Sequence, residues 1–389
     1  MATAKNPPTI LFMGRIFDVP WGGVRELADG LLRSAAPICE AEGRRIQVLV
    51  SRRGTCPVKS PAIREVVLPA LAWNRALWDH VTVSNHANAQ RHAVLFNVKL
   101  VLPERLRIPG FTAIHDLMYF PQPAKYDWRE YLLADTLYMR WGVRRTVRRA
   151  PYTLVASEAT ARDARELFPE VSPDRFVTIH YGVDQERWRV RDSAAWSEVE
   201  RIGVRPPFVF HSGGLSRRKN VTVLAIAFRE FLKRHPEYQL VITGGAKPTT
   251  HDGELRRSLN MIAPGRVIRT GEVSPAALAT LYQRAAFFVF PSLYEGFGFP
   301  PLEAQAAGCP VICSNATSLP EVVGDSALLF DPKAPAELLR HMESLTNERV
   351  RAGLVAKGEE NVRRFSWETT ARQWLALADR VFAAKNAGR

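Results

Sequence analysis

Apolar residues are arranged along this chain in two alternating ways: short unbroken runs rich in Val, Ile and Phe, and longer segments in which they return every three or four positions. The runs predict strands at Ile10 to Met13, Ile46 to Val50, Ile63 to Leu68, Ala93 to Phe96, Phe111 to Ile114, Tyr152 to Ala156 and Phe176 to Ile179. The same rhythm resumes later at Phe208 to Phe210, Leu240 to Ile242, Val267 to Ile268, Phe287 to Phe290, Val311 to Ile312 and Ala327 to Phe330. Strands apolar on both faces and separated by amphipathic helices predict a parallel sheet covered on both sides, an α/β architecture. At 389 residues the chain is too long for one ordinary core, so the two series predict two domains. Between them the polar text RWRVRDSAAWSEVERIG, followed by Pro206-Pro207, predicts a linker or domain boundary within 185–205. That gives an N-terminal domain over 1–190 and a C-terminal domain over 200–366. A closing helix within 367–389 carries Trp374, Leu375, Leu377, Ala378, Val381 and Phe382 at helical spacing.

The stretch PSLYEGFGFPPLEAQAAGCPVICS, Pro291 to Ser314, concentrates the chemistry. It follows a strand-like run and leads into another. Pro300 and Pro301 suit a first helical turn and Gly308 the C-terminal cap. Glu295 then lies in a loop at the carboxyl end of a strand, and Glu303 in the first turn of the helix. Two carboxylates side by side would suggest glycoside hydrolysis, but placement on different elements predicts different tasks. In parallel α/β sheets ligands collect at the carboxyl ends of the strands, where an acidic residue commonly receives ribose hydroxyls. The amides after Gly296 and Gly298 are open to close approach by a ligand. A surface loop with two solvated glutamates fits the same spacing.

Other candidates sit at comparable places. Gly22-Gly23 precede a helix, where backbone amides and the helix dipole favour a phosphate, although the full dinucleotide fingerprint is absent. His115 ends a strand run in Ile114-His115-Asp116. In HSGGLSRRKN, Arg217, Arg218 and Lys219 stand beside a predicted helix N-terminus, without the Gly-Lys-Ser/Thr of a P-loop. Gly244-Gly245 follow a strand, and GEVSP predicts Ser274 as N-cap with Pro275 first in the helix.

Composition narrows the partners. A net charge of +14 and a pI near 10.0 favour anions, whether nucleic acid, anionic lipid or phosphorylated small molecules. No nucleic-acid-reading module is present, so nucleic acid is not expected as a partner. Within Tyr131 to Arg149, Arg140, Arg144 and Arg148 recur at helical spacing beside Leu133, Leu137 and Trp141. Such a face is either simply solvated or docks peripherally on an anionic membrane. The start lacks signal-peptide order and no apolar run is long enough to span a bilayer, which predicts a soluble, cytoplasmic protein, at most peripheral on the inner face of the cytoplasmic membrane. Cys39, Cys56, Cys309 and Cys313 lack paired spacing and predict reduced thiols. No Asp-x-Asp occurs, so no carboxylate-held metal is expected.

Glu295 and Glu303 with the small-residue helix and Gly308-Cys309-Pro310-Val311 after them, together with the His-Asp and RKN motifs, resemble the retaining glycosyltransferases of the GT-B fold, family four. The resemblance covers most of the chain. It implies two facing Rossmann-like domains with a cleft between them, an acceptor-binding N-terminal domain, a donor-binding C-terminal domain, and a last helix that crosses back to the first domain. It implies that Glu303 binds the nucleotide ribose, while Glu295 and the loop amides of Gly296, Phe297 and Gly298 hold the transferred sugar. Lys219 and an arginine, Arg218 in preference to Arg217, would grip the diphosphate. Some members carry that arginine directly after the glycine, where this chain has Gly214-Leu215. Gly22 and Gly23 would lie near the diphosphate and acceptor, His115 near the sugar's hydroxymethyl side, and Val273 near the nucleobase. The motif style is similar to the mannosyltransferase branch, which implies GDP-mannose ahead of a UDP-sugar as donor and a glycan or lipid-linked saccharide of a cell-surface polysaccharide as acceptor. Competing expectations are a non-catalytic binder of nucleic acid or membrane, and a GT-B phosphorylase or sugar-nucleotide epimerase.

Overall fold

Each of the apolar runs forms a strand; in the inner strands an unbroken β-branched and aromatic run buries both faces of a pleated ribbon. The computed structural model describes residues 7–19, 22–69, 75–121, 133–245 and 253–387. The strands are β1 (Thr9–Met13), β2 (Ile46–Val50), β3 (Ile63–Val67), β4 (Ala93–Asn97), β5 (Gly110–Ile114), β6 (Thr153–Val155), β7 (Phe176–Thr178), β8 (Phe208–Ser212), β9 (Gln239–Thr243), β10 (Val267–Gly271), β11 (Phe287–Phe290), β12 (Val311–Ser314) and β13 (Leu328–Phe330). Helices that bear on the argument are α1 (Gly23–Glu42), α2 (Leu133–Arg149), α3 (Gln185–Arg189), α4 (Ser193–Arg201), α5 (Val221–Phe231), α6 (Pro275–Arg284), α7 (Phe299–Ala306) and α8 (Trp367–Ala387).

The chain divides into two compact units, one holding the described residues up to Phe120, from Leu133 to Gly182 and from Ser366 onward, the other running from Val183 to Phe365. In the first unit seven parallel strands are ordered β3-β2-β1-β4-β5-β6-β7. In the second, six parallel strands are ordered β10-β9-β8-β11-β12-β13. Both are doubly wound Rossmann-like sheets, and the central strands β1, β4, β8 and β11 are buried along nearly their whole length.

α8 belongs to the first unit and packs against α1, β4 and β5. Trp374 is fully buried edge-on to Phe12 and Phe96, with ring centroids 6.2 and 5.3 Å away. Truncating a core ring of this kind costs about 3–5 kcal/mol. Arg44 adds a two-pronged pair with Asp379, at 2.8 and 2.7 Å.

The stretch expected to hold a linker or domain boundary is helical, and the division between the two units falls just before it, between Gly182 and Val183. The stretch forms α3 and α4, capped by Asp184, which accepts from the amide of Arg187, and by Asp192, which accepts from Ala194 and Ala195. Trp188, Ala195 and Val199 supply a narrow buried side, and both helices pack against α6 in the second unit. So few apolar positions among so many charges gave no helical stripe to read. All four cysteines are free thiols, and burial pushes the Cys39 thiol up to about 12.

Candidate active site

In the second unit the carboxyl ends of β8 and β11 lie side by side, and the loops that leave them are stitched together. The amide of Leu293 donates to the Arg218 carbonyl at 2.8 Å, and the Ser292 oxygen lies 3.1 Å from the same carbonyl. After β8 the chain turns through Gly213-Gly214 into a short 3-10 turn, Arg217–Lys219, and then into α5. Asn220 makes the join with φ of 52°, a backbone state Asn tolerates, and its amide donates to the carbonyls of Pro291 and Pro332. The cations are thereby fixed by backbone rather than left on a flexible loop.

Arg218 and Lys219 converge on one oxygen of Glu295. Oε1 lies 2.7 Å from Arg218 Nη1, 2.8 Å from Lys219 Nζ and 2.6 Å from the hydroxyl of Ser292, which donates to it. Burial alone would push the Glu295 carboxyl up; Arg218 and Lys219 overcome it and hold the group down to about 2. Burial also holds the Lys219 ammonium down to about 8, against the opposing pull of Glu295. Lys219 further sits 4.5 Å over the Phe290 ring. Arg217 is exposed, so Arg218 rather than Arg217 shares Glu295 with Lys219.

The Pro291–Gly298 loop enters α7 through Gly298, whose φ of 118° suits only glycine. Ser318 donates to the Phe297 carbonyl at 2.6 Å, with the Glu295 carbonyl 2.9 Å away, and the amide of Glu295 donates to Thr317. Phe297 is itself buried. Because α7 starts at Phe299, Glu303 is its fifth residue, one position beyond the first turn where the prolines alone placed it. Glu303 Oε2 accepts from the buried hydroxyl of Tyr282 at 3.1 Å. Two anions therefore flank one cation pair: Glu295 in direct contact, and Glu303 close enough to favour the charge on Lys219.

The profile described as Glycosyl transferases group 1 matches residues 192–364, which contain all of these groups, and that of Glycosyltransferase Family 4 matches residues 31–187. The chain is 30% identical over 278 residues to the O-antigen chain mannosyltransferase B of Escherichia coli, a match covering 70% of this chain and 71% of that one. The chain belongs to this glycosyltransferase family. It is also 32% identical over 232 residues to the serotype-specific mannosyltransferase WbdA of Escherichia coli, spanning 57% of this chain but only 28% of that longer protein. Among solved structures, Anabaena Alr3699/HepE in complex with UDP and glucose superposes with a TM-score of 0.70 over 95% of this chain and 99% of that one, at 18% identity. The fold is thus GT-B.

The remaining candidates of the glycosyltransferase are dispersed. Val273 precedes α6, where Ser274 caps the helix by accepting from the amide of Ala277 and Pro275 is the first helical residue, as the sequence predicts. In the first unit Gly22 caps α1, and the amides of Arg25 and Glu26 donate to its carbonyl; Gly23 is the first helical residue. Pro20 and Trp21 of the same motif lie outside the described residues. His115 follows β5 directly. Its Nε2 donates to the Val98 carbonyl at 2.6 Å, so its Nδ1 accepts from the Tyr181 hydroxyl at 2.8 Å. Burial holds this imidazole down to about 4, and it is neutral with both nitrogens engaged.

Ser292, Ser212 and Tyr282 escaped sequence reading. A tyrosine within an amphipathic helix looks like any core residue, and no motif marks it. Among the described residues no group of three or more His, Cys, Asp or Glu converges as a metal site requires, and no helix is long and apolar enough to cross a membrane.

Proposed function

We propose that the protein is a retaining, metal-independent hexosyltransferase that moves mannose from GDP-mannose to a hydroxyl of a glycan or lipid-linked saccharide in cell-surface polysaccharide synthesis. The observation that carries this is the pair of half-buried Arg218 and buried Lys219, fixed by backbone at a helix entrance and balanced by a single carboxylate oxygen. A donor diphosphate has the charge and size to take both cations from Glu295. Glu295 is then released to receive hydroxyls of the transferred sugar together with the amides of Gly296, Phe297 and Gly298. Glu303 receives the ribose and Val273 lies by the base. Gly22, Gly23 and His115 are assigned to the acceptor and sugar. Mannose is favoured by the identity to the two Escherichia coli mannosyltransferases.

In the reaction the bond between the sugar's anomeric carbon and the diphosphate oxygen breaks, and the acceptor oxygen bonds to that carbon on the same face. The acceptor's proton passes to the departing phosphate oxygen, so no protein base is invoked. Charge grows on the diphosphate as the bond breaks, and preorganised donors aimed at such charge contribute about 3–4 kcal/mol each. Lys219 and Arg218 are those donors, with the amides at the entrance of α5 behind them.

We place the lipid-linked acceptor at the cytoplasmic face of a membrane, with α2 against the lipid. Leu133, Leu137 and Trp141 are 66, 56 and 48% exposed on one face of that helix, ahead of Arg144, Arg145 and Arg148. Several of the arginines are partly engaged within the unit. Arg140 donates to the Tyr119 carbonyl, Arg145 pairs with Glu104 and Arg148 with Glu170. The apolar row therefore carries the proposal more than the charge does.

Thermal melting against GDP, UDP, ADP and dTDP tests the donor assignment, since a ligand of the folded state raises the melting temperature. GDP should give the largest rise, and the anomeric configuration of the product should match that of the donor. A larger rise with UDP would shift the donor to a UDP-sugar. No rise with any of them, alongside salt-sensitive polynucleotide binding, would overturn the transferase in favour of an anion-binding protein.

A further inference from the structure

Tyr282 lies on α6, its ring fully buried and boxed by three others. Trp188, Phe210 and Phe288 meet it near edge-on, with centroids 5.5, 5.0 and 5.1 Å away. A ring held on three sides has one orientation, and so has the direction of its C–O bond. The phenol oxygen sits between two partners, Ser212 Oγ at 2.8 Å and Glu303 Oε2 at 3.1 Å. A carboxylate only accepts, so the phenol donates to Glu303, and its own oxygen must then accept from Ser212. The chain of bonds has one polarity, from serine through tyrosine to glutamate.

Glu303 is only half-buried, on the second turn of a short helix, and an unsupported glutamate there would sample several rotamers. Its partners run back to the carboxyl end of β8, at Ser212, one residue ahead of the glycines that lead to Lys219. The same tyrosine is backed by Trp188 on α3. Gln283, next along α6, donates to the carbonyls of Trp188 and Val190. The polar stretch expected to hold a linker or domain boundary therefore buttresses this wall of the site.

We infer that Tyr282 is a positioning residue for nucleotide specificity: through Ser212 and its own hydroxyl it holds Glu303 in the orientation that receives the ribose diol of a nucleoside diphosphate. The inference rests on the assignment of Glu303 to the ribose. The ring itself is sealed off from solvent and touches no substrate. Its effect is confined to discrimination between a ribonucleotide and one lacking those hydroxyls, and leaves the transfer step alone.

The experiment is a titration cycle on the full chain, measuring dissociation constants of GDP and 2′,3′-dideoxy-GDP for wild type, Tyr282→Phe, Ser212→Ala and Glu303→Gln, with UDP and its dideoxy form substituted if UDP is the nucleotide that stabilises the protein. Wild type should prefer the ribose form. In Tyr282→Phe that preference should fall by about tenfold, the loss expected for one hydrogen bond to a charged group, with the dideoxy affinity unchanged. Donor KM should rise correspondingly at constant kcat, the mark of lost uniform binding. Ser212→Ala should change the preference in the same direction by a smaller factor, and serves if the phenylalanine variant folds poorly. Equal losses for both nucleotides would show a general packing defect and overturn the positioning role. If wild type binds GDP but does not distinguish the two forms, and Glu303→Gln is likewise indifferent, the ribose assignment fails and the role of Tyr282 falls with it. No binding of any nucleotide would instead sink the transferase proposal itself.

Discussion

Lys219 places its ammonium 2.8 Å from Oε1 of Glu295, with the two side chains only 8 and 12% exposed. Buried charges so close are coupled, and removing either has unequal consequences. Lys219→Ala leaves Glu295 paired with Arg218 and should fold. Glu295→Ala strands two neighbouring cations and should cost about 3–5 kcal/mol in urea unfolding. On turnover the ranking differs: Lys219→Ala should lose about 100- to 1,000-fold, the range for one donor aimed at developing charge. Unchanged turnover in that variant would remove Lys219 from the diphosphate.

The same pair sets opposite limbs of the pH dependence. With Lys219 held down to about 8, kcat/KM should decline as the pH passes that value, and Lys219→Arg, which stays charged, should lack this decline while retaining part of the activity. For stability the signs follow from linkage. The Lys219 group sits below its ordinary 10.5, so keeping it charged opposes folding below pH about 8, and stability should grow between there and 10.5. The Glu295 group sits below its ordinary 4.5, so its contribution is complete above that pH and is lost as the pH falls toward 2. Urea titrations of wild type and Glu295→Gln across the acid range would isolate this second effect.

Gly244 and Gly214 touch backbone to backbone between the loops that follow β9 and β8. A Cβ on Gly244 would stand 2.6 Å from the Gly214 nitrogen, in a residue whose φ is 104°. Gly244→Ala should therefore cost on the order of 1–3 kcal/mol and weaken nucleotide binding, because the strained loop must push aside the turn leading to Lys219. A variant with wild-type melting temperature and nucleotide affinity would show that the two loops yield freely.

Membrane contact through α2 predicts that the protein sediments with vesicles containing anionic phosphatidylglycerol, and less with neutral phosphatidylcholine. Leu137→Glu with Trp141→Glu should cut the bound fraction several-fold at unchanged melting temperature, since both side chains are exposed. Equal sedimentation of wild type and variant would exclude this face.

The strands were legible because burial on both faces leaves an unmistakable apolar run, as in Phe287–Phe290. Lys219, Arg218 and Glu295 were legible as residue types in suggestive places, yet their convergence on one oxygen depends on two loops far apart in sequence. Glu303 was found, but its support was not. Tyr282 and Ser212 acquire meaning only when β8, α6 and α7 pack together, and nothing local encodes that. α3 and α4 were missed because their caps, Asp184 and Asp192, are ordinary aspartates in a charged stretch. His115 was singled out for its position, while the partners that occupy both its nitrogens, Val98 and Tyr181, lie elsewhere in the chain.

The placement of α8 has a consequence for synthesis. The first sheet is laid down early on the ribosome, yet Trp374, which fills the space beside Phe12 and Phe96, is encoded beyond the entire second unit. The nascent first unit must wait with an open apolar flank, while the second unit has every strand it needs to close first. On this placement the second unit should complete its fold before the first.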